Sequence, residues 1–388
     1  MRLPYYSSLT GVRAVAAFMV YLHHYNPGQT IFGSQILKSV FYEFHVGVTI
    51  FFTLSGFLIT ERYFTTETLS LKNLRTYIIN RLARIYPLYI VLSLPVFFIA
   101  FYNVGFTRYY LYALILNITL LKSLSLEYAF TGIPQAWSLT VEECFYFFAI
   151  FFFAVLYSRR FSKAIVWISA IILLPTTGFL LVQVFHYLHL PFFENASFVA
   201  YNTFFGRFYE FFIGAGLALL LKKVKTKHDF SVLTYGGIIL FSLGIFALMK
   251  IKVAYGANFG ISPPIGTAVN NLYLPLCIAT IFTGLLREKS LVSTFLSTKP
   301  LAILGKSSYA FYLIHMGLIH ELLSPYFNEK STLGALAIYL ILVALSVALY
   351  YFFEEPVNKK IKSLTSRHNW PTPTSSSSNS ALSKASVR

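Results

Sequence analysis

Acidic residues are scarce in this chain. Of 388 residues only 14 are Asp or Glu, the one aspartate being Asp229, and charged residues of both signs make up 12%. A soluble domain carries about twice that share of charge, so that class is excluded. Cysteine is almost missing as well. Cys144 and Cys277 both fall in apolar runs, which leaves no disulfide framework and no zinc-ligand pattern, and makes them packing residues. No cleavable leader is evident either. The first apolar run contains Arg13 and ends in Tyr-Leu-His-His-Tyr at 21–25 without a small-residue cleavage site, so it is expected to stay as an anchor.

What is abundant is apolar surface: 56% hydrophobic residues, with 28 Tyr and 40 Phe. Runs long enough to span a bilayer recur along the chain. We place spans near 9–25, 44–61, 85–104, 139–157, 164–184, 203–221, 232–249, 268–286, 303–321 and 333–353. The expected fold is an all-α, polytopic transmembrane helix bundle of about ten spans in a cell membrane, a bacterial inner membrane being the natural setting. The run 111–121 is short for a span, and counting it would invert every later loop. We therefore read 105–138 as an outer segment with a re-entrant or interfacial helix near 109–122. With both termini cytoplasmic, only Lys38, Arg108, Lys122, Arg207, Lys250, Lys252 and Lys330 of the 31 basic residues fall outside. The net charge of +17 is then a positive-inside bias and does not point to nucleic acid. Residues 1–362 make one membrane-embedded domain, and the Ser-rich stretch 363–388 is expected to be a disordered cytoplasmic tail.

Each polar residue inside such runs needs a reason. Arg13 and His24 are eleven residues apart, about 20° beyond three helical turns and about 16 Å of rise, so they share one face of the first helix. His23 points about 80° away. A snorkelling arginine and a hydrogen-bonded histidine would explain the pair; so would a polar track through the bundle. Arg207 and Glu210, at i and i+3, are expected to form a structural ion pair. Ser55-Gly56 lies outside any nucleophile elbow and reads as close helix packing. His186 and His189 lack a third ligand nearby in sequence, so no metal site is assigned. Asn117-Ile-Thr and Asn195-Ala-Ser are glycosylation triplets that arise often by chance.

The Arg, ten residues, His pattern resembles the hallmark of the acyltransferase-3 family of integral membrane O-acyltransferases. Further stretches are similar to its motifs in the same order: GVTIFFTLSGFLIT at 47–60, RLARIYPLY at 81–89, WSLTVEECFYF at 137–147, GKSSYAFYLIH at 305–315 and FEEPVNKK at 353–360. The chain departs from the family at Thr49, where many members carry Asp, and at Ile314 and Met316, where aromatic residues are common. The resemblance implies transfer of an acetyl or other short acyl group from cytoplasmic acyl-CoA to a hydroxyl of a cell-envelope glycan or glycolipid. No cofactor is expected beyond that donor substrate, which is expected to be acetyl-CoA, with membrane lipid around it. Some members carry a fused extracytoplasmic domain, so either the acceptor is acylated directly or a separate extracytoplasmic partner completes the transfer.

Roles follow as expectations. Arg13, Arg81 and Arg84 fall at the inner face, where arginine forks suit the donor's phosphates, and Lys306 could join them. An acceptor hydroxyl needs a general base, and His24 is the candidate, with Glu142 or Glu143 as the orienting carboxylate. Tyr146 shares the helix face of Glu142. His315 is a second catalytic candidate, with Trp137, Ser308 and Tyr309 in substrate binding. The competing reading is a transporter in which the same buried Arg, Glu and His handle protons or an anion.

Overall fold

The computed structural model describes residues 6–64, 71–158, 160–223 and 230–367, and every regular element among them is helical. In chain order these are α1 (Ser7–Tyr25), α2 (Gln35–Tyr42), α3 (Gly47–Tyr63), α4 (Leu71–Val104), α5 (Arg108–Ile118), α6 (Trp137–Leu156), α7 (Lys163–Tyr187), α8 (Ala196–Asn202) and α9 (Phe204–Lys223). There follow α10 (Val232–Ala254), α11 (Pro264–Ala268), α12 (Leu274–Arg287), α13 (Leu291–Leu296), α14 (Lys299–Ile314), α15 (Leu318–Leu323), α16 (Thr332–Leu349) and α17 (Glu355–Arg367). Eight helical runs are long and apolar enough to cross a membrane. α1 and α14, whose hydropathy is diluted by Arg13, His23, His24 and Lys306, pack against each other and complete a bundle of about ten. Their lengths of 19 and 16 residues give about 28 and 24 Å of rise, close to the hydrocarbon thickness.

Local chemistry starts several helices. Ser162, Asn195 and Ser331 accept hydrogen bonds from the backbone N–H groups of Ile165, Phe198 and Gly334, each capping the helix that follows. Asn195 thus has a structural use in its own triplet. Asn117 is fully buried, donating to the Ala113 carbonyl and accepting from the Tyr89 hydroxyl, which rules its triplet out as an accessible acceptor.

The segment expected to be outer carries one short helix and no span. α5 has only 11 residues, about 16 Å, too short to cross, and it lies against α4. Behind it, Lys122 is fully buried and donates to the carbonyls of Thr131 (2.8 Å) and Ile133 (2.6 Å). That bond pair shapes the turn leading into α6. The expected tail is corrected at its start: α17 continues to Arg367, and 368–388 lie outside the described residues.

Close helix contact in a membrane relies on small residues, because lipid and side chains are equally apolar. α3 and α9 cross at Gly56, which meets the Phe211 carbonyl, and at Gly214, which meets the Thr53 carbonyl. A side chain at either would collide with backbone. Beside this crossing Arg207 and Glu210 form the expected ion pair, with both carboxylate oxygens at 2.7 Å, and Arg207 also donates to Thr49. Both are buried, so each satisfies a charge the bilayer would not.

Candidate functional site

α1, α3, α4, α6 and α14, together with the C-terminal segment, enclose a cavity of about 300 Å³. Arg13 of α1 and Arg81 and Arg84 of α4 all line it, so cations from two helices far apart in sequence converge on one space. Arg62, Lys306 and Lys362 add three more on exposed side chains, which puts them at its mouth. Arg84 is paired with Glu354 (Nη1 to Oε1, 3.1 Å), while its Nη2 and the Arg81 Nε are buried donors without a partner. The Arg81 guanidinium lies over the rings of Tyr63 and Tyr146, at 5.5 and 5.6 Å. Buried, incompletely satisfied guanidinium donors facing a cavity are poised for an anion.

The walls run along α3 from Arg62 to Val48, fourteen residues or about 20 Å, most of the way through a bilayer. Glu142 sits among them. Its carboxylate accepts from the Ser55 hydroxyl (2.6 Å) and from the Tyr146 hydroxyl. Ser55 therefore has a polar partner, and close packing belongs to Gly56 alone. Tyr309 and Ser308 line the cavity too, but both hydroxyls are engaged: Tyr309 donates to the Ile85 carbonyl and Ser308 to that of Gly305.

Outside the cavity lining, next to Tyr312, stands a pair of histidines. His315 directly follows α14 and is fully buried, with Nδ1 2.8 Å from the Tyr312 carbonyl and Nε2 2.9 Å from His24 Nδ1. A carbonyl oxygen only accepts, so His315 Nδ1 carries the proton, and in the neutral ring its Nε2 is an acceptor. His24 Nδ1 must then donate. The hydrogen-bond network thereby leaves the lone pair of His24 on Nε2, on a side chain that is exposed. His23 instead bonds the Tyr42 carbonyl at 2.7 Å, which separates the two neighbouring histidines as helix phase anticipated.

Two expectations are corrected by this geometry. Neither Glu142 nor Glu143 orients His24; Glu142 is held by Ser55 and Tyr146, Glu143 is buried outside the cavity, and the imidazole of His315 fills the orienting place. Trp137 is not a cavity wall: its ring covers the Arg207 guanidinium at 5.8 Å, beside that of Phe52 at 5.2 Å. Sequence reading missed Arg62, Asn358 and Lys362, which look like ordinary helix-end polarity, and Gln135. The Gln135 Nε2 donates to the carbonyls of Tyr312 and Leu313, both at 2.9 Å, and so clamps the end of α14 beside His315.

Tyr312 joins the two regions. Its side chain lines the cavity and bonds Ser138 at 2.8 Å, while its carbonyl holds His315. The arrangement is a cavity lined by cations whose wall comes within one helical turn of an exposed imidazole.

Residues 6–353 match a family model described as an acyltransferase domain. The chain is 26% identical over 377 residues to the O-acetyltransferase OatA of Staphylococcus aureus (strain NCTC 8325 / PS 47), covering 92% of this chain and 58% of that protein. It is 24% identical to the putative O-acetyltransferase SAR0937 of S. aureus (strain MRSA252), over 95% of this chain and 60% of that one. The chain thus spans about three fifths of the length of these relatives. No solved structure matches.

Proposed function

The chain belongs to the acyltransferase-3 family of membrane proteins, and from that premise we propose that it moves an acetyl or other short acyl group from cytoplasmic acyl-CoA to a hydroxyl of a cell-envelope glycan or glycolipid. The relatives named as O-acetyltransferases support oxygen as the accepting atom and acetyl as the group. The observation that carries the reading is the convergence of Arg13, Arg81 and Arg84 on a cavity whose far end adjoins the His24–His315 pair.

The donor enters from the mouth marked by Arg62, Lys306 and Lys362, the cytoplasmic end in this reading. Its phosphates meet the arginines, and the pantetheine arm runs along the cavity towards Tyr312. The acceptor arrives at the exposed face of His24. Its hydroxyl gives its proton to His24 Nε2 as the oxygen attacks the thioester carbonyl, and the imidazolium is stabilised through Nδ1–H donation to His315. Collapse of the tetrahedral intermediate breaks the C–S bond, forms the ester and releases the CoA thiolate, which takes up a proton. His315 works here as an aromatic counterpart of the carboxylate in a catalytic triad: it fixes the tautomer and ring plane.

The test is incubation of the purified protein with radiolabelled acetyl-CoA and envelope glycan, following free thiol and labelled ester. Acceptor-dependent thiol release that disappears in His24→Ala is expected. Turnover in His24→Ala near the wild-type level would remove the base assigned here.

A further inference from the structure

The family match ends at residue 353, yet the cavity does not. Tyr350, in the last turns before α17, and Asn358 and Lys362, in α17 itself, are all part of its wall. Asn358 is 9% exposed, and its Oδ1 is buried with no hydrogen-bond partner. A buried amide oxygen in a cavity wall left unpaired is costly unless a ligand donor completes it. On the same helix face one turn on, Lys362 reaches the mouth with an exposed ammonium, opposite the exposed Arg62 of α3. An aromatic ring, an unpaired amide oxygen and two cations at the mouth are chemistry that suits a purine nucleotide: stacking, an acceptor for the adenine amino group, and charge for a phosphate monoester.

We propose that α17 reads the adenosine 3′-phosphate end of the donor, with Asn358 taking the adenine edge against Tyr350 and with Lys362 and Arg62 taking the 3′-phosphate. This rests on the acyl-CoA reading above and divides the cavity's cations by task. The inner arginines hold the diphosphate that every CoA fragment with a nucleotide carries, and the mouth pair discriminates donors by the extra phosphate. Helix α17, whose first turns carry most of the FEEPVNKK stretch, is thus a specificity element that continues past the end of the family-model match.

Equilibrium binding of CoA, 3′-dephospho-CoA and 4′-phosphopantetheine to the full chain in detergent micelles separates these tasks without requiring an acceptor. The wild type should bind CoA about tenfold more tightly than 3′-dephospho-CoA. Lys362→Gln should bring that ratio close to one, and Lys362→Arg should preserve it; a merely structural role for Lys362 would weaken both ligands alike. Asn358→Leu should weaken both adenine-bearing ligands severalfold and have no comparable effect on 4′-phosphopantetheine. Arg84→Ala should weaken CoA and 3′-dephospho-CoA equally. An unchanged ratio in Lys362→Gln, or a wild type that binds the two nucleotides alike, overturns this inference while leaving the donor reading standing. A wild type that binds none of the three overturns the donor reading and this inference with it.

Discussion

At the residue scale the decisive feature is which nitrogen of His24 is free. The Tyr312 carbonyl fixes the proton on His315, and that in turn fixes the proton on His24. Replacing His315 by Ala should lower kcat by about a hundredfold or more, within the range general-base catalysis spans. His315→Gln should recover part of that loss, because the Gln Oε1 can accept from His24 Nδ1 where Ala cannot; equal rates in the two variants would contradict the orienting role. Arg13→Ala and Arg84→Ala should raise KM for acetyl-CoA about tenfold with a smaller change in kcat, measured by thiol release, since in the proposed reaction they hold phosphate rather than reacting atoms. The first helix showed much of this in its phase: Arg13 and His24 share a face, and His23 does not. The identity of the orienting group was not legible, because His315 is 291 positions away and nothing in spacing alone prefers it to the two glutamates.

At the element scale, crossings depend on glycine and on one buried ion pair. Gly56→Leu would drive a side chain into the Phe211 carbonyl and separate α3 from α9, the two helices that carry cavity and ion pair. Strong loss of folded protein in size-exclusion chromatography is the expected outcome. Arg207→Met alone should destabilise the bundle by about 3 kcal/mol by leaving Glu210 buried and unpaired, and the Arg207→Met, Glu210→Met double variant should regain most of it in thermal unfolding. Additive losses would show that the two side chains are not coupled. Elements were the most legible part of the sequence, since hydropathy and loop charge give the spans and disqualify 111–121 as one. Less legible was Trp137, whose motif position suggests a ligand contact and whose ring covers Arg207 instead. A sequence motif marks that a residue matters, and packing alone tells whether it faces the cavity or its neighbour.

At the scale of the whole molecule the cations at the mouth and the His24–His315 pair belong to opposite ends of one bundle, and the cavity wall on α3 covers about 20 Å of the distance. In the proposed reaction that separation accounts for an arginine and a histidine on one helix, because the donor, not the protein, would bridge most of the distance. The central claim is therefore vectorial transfer, and it is tested most directly in sealed, uniformly oriented proteoliposomes. With labelled acetyl-CoA supplied only at the face bearing Arg62 and Lys362, and envelope glycan only at the face bearing His24, labelled ester should accumulate on the glycan while free CoA appears on the donor side, and His24→Ala should abolish both. Label reaching the glycan only when both substrates share one face would contradict the account.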